Sequence, residues 1–192
     1  MFFQKLAVFA CSLGLAACGG SAPERDMTEN HSAAPKISHI QMIEFFDFGC
    51  GHCRTASHTM NNLKKHYGEK LQVEYKNFPL SARTTRVAEA AECAGKQSKY
   101  KTFHDVYFAG FFGRTADADL VSAAQASGVD PKAMMTCVNS GIMKTKISED
   151  IALAQKYGVT GTPFFVINSQ FTIPGSLPEA KFREILDQML TQ

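Results

Sequence analysis

Apolar and polar positions along the chain change period several times, and each change marks an element. Ile37 to Phe48 is dense in β-branched and aromatic residues (Ile40, Ile43, Phe45, Phe46) and predicts a buried strand. A helix follows from near Cys50 to about Tyr67, with Gly68 as its stop. Leu71 to Phe78 alternates through Leu71, Val73 and Tyr75, which predicts a second strand ended by Pro79. From Arg83 to Tyr157 the spacing is helical throughout: Ala88, Ala91 and Cys93 share one helix, and Phe103, Val106 and Tyr107 a second. Asp117 is placed to cap a third carrying Leu120, Val121 and Ala124, and Asp130-Pro131 reads as an N-cap with proline at the first helical position. The stretch from Ile142 to Tyr157 ends at Gly158. Phe164 to Ile167 is a short strand, Asn168-Ser169 a turn, Gln170 to Ile173 a returning strand and Glu179 to Leu190 an amphipathic helix.

The order is therefore β-α-β, a helical block, then β-β-α. The first part gives a parallel pair through a crossover helix, the last an antiparallel hairpin plus helix. One mixed sheet covered by helices satisfies both. The expected fold class is α/β: a thioredoxin-like mixed sheet, built from residues 37–82 and 158–192, with an all-helical insertion over 83–157.

The first residues change where that domain is expected to work. Lys5 and the apolar run Leu6 to Leu15 form a signal-like leader, too short to span a hydrocarbon core of roughly 20 residues. Leu15-Ala16-Ala17-Cys18-Gly19 resembles a bacterial lipobox. On that reading residues 1–17 are removed, Cys18 carries lipid at a membrane surface, and 18–36 is a flexible tether. The alternative is an ordinary secretory signal cut at Ala-x-Ala. Both export the chain to the periplasm or cell envelope, and Gly19 after the cysteine favours the outer membrane. With 20 Lys+Arg against 18 Asp+Glu and no basic run, nucleic acid is not an expected partner.

Six cysteines stand at 11, 18, 50, 53, 93 and 137. Cys11 goes with the leader and Cys18 is lipidated, which leaves four thiols in an oxidising compartment. Cys93 and Cys137 most simply pair as a structural disulfide, worth at most about 4 kcal/mol on the chain-entropy model. Two buried unpaired thiols, or a second redox centre, are the other readings.

Cys50-Gly51-His52-Cys53 carries the chemistry. A strand ending in Phe46, then Cys50 at a helix start, sets a sulfur beside unpaired backbone N–H groups and the positive end of the helix dipole. Cys53 lies one turn deeper on the same face, and His52 adds a donor near the Cys50 sulfur. A zinc knuckle would need a second ligand pair; Cys93 and Cys137 stand alone, and His58 and His104 supply no matching motif, so no metal is expected. Covalent haem needs His after the second cysteine, where Arg54 stands. An inert structural disulfide and a redox-active pair remain. Two distant features favour redox activity. Gly158-Val159-Thr160-Gly161-Thr162-Pro163 precedes a core strand, where proline is unusual; a cis Thr162-Pro163 bond would put a backbone edge beside the cysteines for substrate to pair with, while a trans proline starting the strand is the plainer option. Glu44, between Ile43 and Phe45, is either a buried acid exchanging protons with Cys53 or a strand residue facing solvent.

Phe45-Phe46-Asp47-Phe48-Gly49-Cys50-Gly51-His52-Cys53, Tyr75-Lys76-Asn77-Phe78-Pro79-Leu80 and Gly158 to Pro163 together resemble the DsbA family of bacterial thiol–disulfide oxidoreductases, over about Ile40 to Leu190. Gly51 stands where the best-known members carry proline; Gly-His is the dipeptide of eukaryotic protein disulfide isomerase. The resemblance implies that Cys50 is the exposed nucleophile, Cys53 its resolving partner, His52 a stabiliser of the thiolate, Glu44 the buried acid and Thr162-Pro163 the cis-proline loop. The expected protein is a membrane-anchored, monomeric dithiol oxidase, and with no nucleotide, flavin or metal motif in the chain its expected redox group is the Cys50–Cys53 pair itself, with no other cofactor. Its clients would be exported proteins with free thiols, and its partner a DsbB-like membrane reoxidant. The alternatives are an isomerase or reductase of the DsbC/DsbG type, kept reduced by a DsbD-like partner, or a non-enzymatic surface lipoprotein.

Overall fold

The computed structural model describes residues 38–191. The leader, the Cys18 lipidation site and the tether expected over 1–36 lie outside the described residues. Strand β1 (Ile40–Phe46) leads to α1 (Gly51–Tyr67) and β2 (Leu71–Asn77). Five helices follow: α2 (Ala82–Gly95), α3 (Tyr100–Val106), α4 (Asp117–Ala126), α5 (Pro131–Ser140) and α6 (Lys144–Lys156). The chain returns through β3 (Phe164–Ile167) and β4 (Phe171–Pro174) to α7 (Glu179–Thr191). The sheet order is β2-β1-β3-β4, with β1 parallel to β2 and antiparallel to β3, and β3 antiparallel to β4.

β1 is central and buried on both faces, which is why its sequence is nearly continuous in apolar residues. Alternation places Ile40, Met42, Glu44 and Phe46 on one face, and Ile43 and Phe45 on the other. The first face is covered at one end by α1 and α7 through Met60, Leu63, Phe182 and Leu186. At its other end Phe46 joins Phe48, Cys53 and the apolar sides of α2, α3, α4 and α5. On the opposite face Phe45, Phe164 and Val166 pack on Ala154 of α6 and on Val159. Glu44 thus sits at the seam between two cores, at the level where the sheet meets the helical block.

Cys93 of α2 and Cys137 of α5 are bonded, with Cα atoms 5.9 Å apart, and so tie two helices of the block. The structure departs from the sequence expectation at Asp117. Ala116, without a side-chain bond, occupies the N-cap of α4, while the Asp117 carboxylate takes Arg86 Nε at 2.6 Å and Nη2 at 2.8 Å. A two-pronged charge-assisted pair outcompetes a single cap bond, and the carboxylate still lies in the first helical turn. After α3 the chain widens into a π-helical turn, Tyr107–Phe111, which no spacing in the sequence announced.

Candidate active site

Cys50 is the N-cap of α1, in an extended conformation (φ −86°, ψ 117°). Its sulfur accepts from the Cys53 N–H at 3.3 Å and lies 3.3 Å from the Thr162 carbonyl oxygen, to which it donates only when protonated. The two cysteines are not bonded to each other here; Cys50 is half-buried and Cys53 buried. Their environments pull their acidities apart. The Cys53 thiol, foremost, then the Thr162 side chain and the backbone N–H groups of Cys53 and His52, stabilise the Cys50 anion against its partial desolvation, and its pKa falls to about 5. Burial, and the thiol's own bond to Cys50, push Cys53 well above the ordinary thiol range. One sulfur is an anion at neutral pH and the other holds its proton.

The other expected residues are arranged around this pair. Thr162 comes from the loop before β3, more than a hundred residues away, and the Thr162–Pro163 bond is cis. The His52 ring is exposed and makes no hydrogen bond among the described residues, so its contribution to the sulfur in this structure is its backbone N–H. Glu44 is 1% exposed, paired in register with Tyr75 of β2 and Phe165 of β3. Its Oε2 has no hydrogen-bond partner among the described residues. Burial raises the Glu44 carboxyl to about 8, opposed by the charge of Lys101 and reinforced by that of Cys50. It is therefore mostly protonated at neutral pH.

Asp47 and Lys101, which sequence reasoning did not single out, and His104, which it weighed only as a metal ligand, complete the setting. Asp47, 3% exposed, accepts from the Gly49 N–H, from the Leu80 N–H at 2.6 Å and from the Thr84 hydroxyl at 2.7 Å. Its backbone oxygen accepts from the Cys50 N–H at 3.0 Å. One side chain thereby joins the cysteine loop to the capped start of α2, where Ser81 and Thr84 form a capping box. An Asp two residues before a Gly is a local turn signal, but Leu80 and Thr84 are invisible from it. Lys101 of α3, whose ammonium lies 5.4 Å from the Tyr75 ring centroid and donates to Asn61 at 2.7 Å, is the cation that bears on Glu44. His104, 1% exposed, is enclosed by Tyr75, Phe46 and Phe108 at ring distances of 4.6, 4.9 and 4.9 Å, so burial lowers its pKa and keeps the ring neutral.

Gly49 is where this packing is least forgiving. A Cβ there would stand 2.7 Å from the Thr84 methyl and 3.0 Å from Asp47 Oδ1, and both neighbours are held by the capping box and the Asp47 bonds. Gly49→Ala should cost about 1–3 kcal/mol, read as a lower urea midpoint, and should slow thiol exchange by displacing the Cys50 loop. An unchanged midpoint would mean the loop has room that this geometry denies it.

Comparisons with known proteins agree with this arrangement. The model of the DSBA-like thioredoxin domain matches residues 41–187. A thioredoxin-like oxidoreductase from Silicibacter pomeroyi DSS-3 superposes with a TM-score of 0.72 at 26% identity, covering 81% of this chain and 89% of that one. The thiol–disulfide exchange protein alpha-DsbA2 of Wolbachia pipientis has a TM-score of 0.71 at 22% identity, covering 79% of this chain and 82% of its own. BdbD of Bacillus subtilis has a TM-score of 0.72 at 16% identity, covering 81% and 89%. The last two bear on the fold alone. Among curated proteins, a Na(+)/H(+) antiporter NhaA of Herminiimonas arsenicoxydans is 23% identical over 148 residues, 77% of this chain and 24% of that protein. This chain thus spans about a quarter of the length of such relatives, and their transport activity is not carried over. Among the described residues no helix is long and apolar enough to cross a membrane. The family match runs from the second residue of β1 into α7 and takes in the whole cysteine motif, and on it this chain belongs to the DSBA-like thioredoxin domain family of thiol–disulfide oxidoreductases.

Proposed function

We propose that the protein is a dithiol oxidase, which passes the Cys50–Cys53 disulfide to exported proteins. The observation that carries this is the opposed acidity of the two sulfurs. A client thiolate attacks Cys50 of the oxidised enzyme, the Cys50–Cys53 bond breaks, and the Cys53 sulfur takes up a proton. The buried, protonated Glu44 carboxyl is the group suited to supply it. A second client thiolate then attacks the client sulfur of the mixed disulfide, and Cys50 leaves as its stabilised anion. The client loses two electrons as its disulfide forms, and the enzyme gains them as a dithiol. A low-pKa leaving thiol favours this direction.

The Thr162 backbone beside Cys50 supports the reading of Thr162-Pro163 as the place where the client backbone docks, and the resemblance favours His52 as a stabiliser of the thiolate. The reduced pair must be reoxidised, and the resemblance favours a DsbB-like membrane partner, with clients met in the periplasm or cell envelope by a monomer held through lipid on Cys18. No cofactor beyond the cysteine pair enters this scheme.

Equilibration with glutathione mixtures separates this reading from an isomerase or reductase of the DsbC/DsbG type. The expected potential is more oxidising than that of the glutathione pool. A potential as reducing as that of thioredoxin, about −270 mV, would assign the protein to reduction instead.

A further inference from the structure

We infer that the surface around Cys50 selects client segments bearing acidic residues close to their cysteine, with Arg54 and Arg83 as the recognising cations. This rests on Cys50 being the attacked sulfur, as proposed above, and adds the class of client. The two arginines approach from different elements. Arg54 is one helical turn along α1; its N–H donates to the Cys50 carbonyl at 3.1 Å, and its guanidinium carbon lies 5.3 Å from the centre of the Phe112 ring. Arg83 is exposed in the first turn of α2, next to the Thr84 whose methyl abuts Gly49 and whose hydroxyl binds Asp47. Leu80, 60% exposed, stands just before that turn, so apolar surface accompanies the charge.

The pattern of pairing distinguishes these two from their neighbours. Arg86 and Arg114 are answered by Asp117 and Asp119 at 2.6 and 2.7 Å. Arg54 and Arg83 have no carboxylate partner among the described residues. The two carboxylates nearest Cys50 in sequence, Glu44 and Asp47, are buried, and Asp47 already accepts from three donors. Arg54 and Arg83 thus present positive charge unanswered by any carboxylate among the described residues, on α1 and α2, the two elements that flank the Cys50 loop. Stacking on Phe112 holds the Arg54 side chain while leaving its N–H edge without an acceptor among the described residues, so a client carboxylate meets a donor fork already positioned. Partner charges matched to such a surface raise association rates by about 10- to 1,000-fold, and salt removes the gain.

The test uses three dithiol peptides of equal length whose cysteines are flanked by Asp, by Ser or by Lys. Oxidation by the disulfide form of the full protein is timed by quenched-flow alkylation at low and at about 0.5 M salt. Each rate is divided by that for dithiothreitol, which cancels any change in Cys50 reactivity caused by removing nearby cations. The Asp peptide should outrun the Lys peptide by about 10-fold or more at low salt, with the gap shrinking to about 2-fold or less at high salt. Arg54→Gln combined with Arg83→Gln should close most of that gap. Equal ratios for all three peptides, or a preference untouched by the double substitution, would overturn the inference while leaving the oxidase reading intact. Failure to oxidise any peptide or dithiothreitol would overturn the reading of Cys50 and this inference with it.

Discussion

Cys53→Ser should stop the reaction half-way. Offered a small peptide disulfide, the Cys50 thiolate of this variant attacks and forms a mixed disulfide, which then has no neighbouring thiol to expel the peptide. In the unaltered protein Cys53 lies within reach, its N–H 3.3 Å from the Cys50 sulfur, and clears the same adduct quickly. The adduct should therefore accumulate to nearly one peptide per protein by intact mass, and vanish on reduction. Cys50→Ser should lose exchange altogether, because the remaining thiol is buried and holds its proton. The asymmetry is the point: equal loss in both variants with no trapped adduct would remove the distinction between attacked and resolving sulfur.

Glu44→Gln should make the protein more stable and less active at once. Unfolded, this carboxyl ionises near pH 4.5; folded, burial raises it to about 8. A pKa raised by folding contributes its full stability below the unfolded value and loses it as pH rises toward the folded value, by about 1.4 kcal/mol per pH unit. Glutamine has no proton to lose. The variant should gain on the order of 2–4 kcal/mol over the parent at pH 7.5, with the gain fading near pH 4.5. Turnover of a dithiol peptide should fall by about 10-fold or more, since the acid that serves Cys53 is gone. Urea unfolding at the two pH values, beside peptide oxidation, measures both. A variant that loses stability and activity together would make Glu44 a packing residue; unchanged kinetics would take it out of the mechanism.

Much of this was legible in the chain because the signals are local. Ile40 to Phe46 names a doubly buried strand by composition. Gly68 and Gly158 stop helices where φ is positive, at 57° and 69°. Cys50 to Cys53 puts two sulfurs on one helical turn whatever the rest does. Alternation left Glu44 two options, and only the packing of α1 and α3 over that face decides for burial. What escaped depends on contacts made across long stretches of chain. The Asp47 carboxylate reaches Leu80 and Thr84 across more than thirty residues, and Lys101 meets Tyr75 from another element. Asp117 was read by its local capping preference, and a distant arginine took the carboxylate instead. No local period encodes such pairings.

The most direct test of the account is the ionisation of Cys50 in the reduced protein, followed through thiolate absorbance in the ultraviolet. One group should titrate near pH 5, and Cys50→Ser should abolish that transition. A single thiol ionising near pH 9, or a low transition that survives Cys50→Ser, would contradict it.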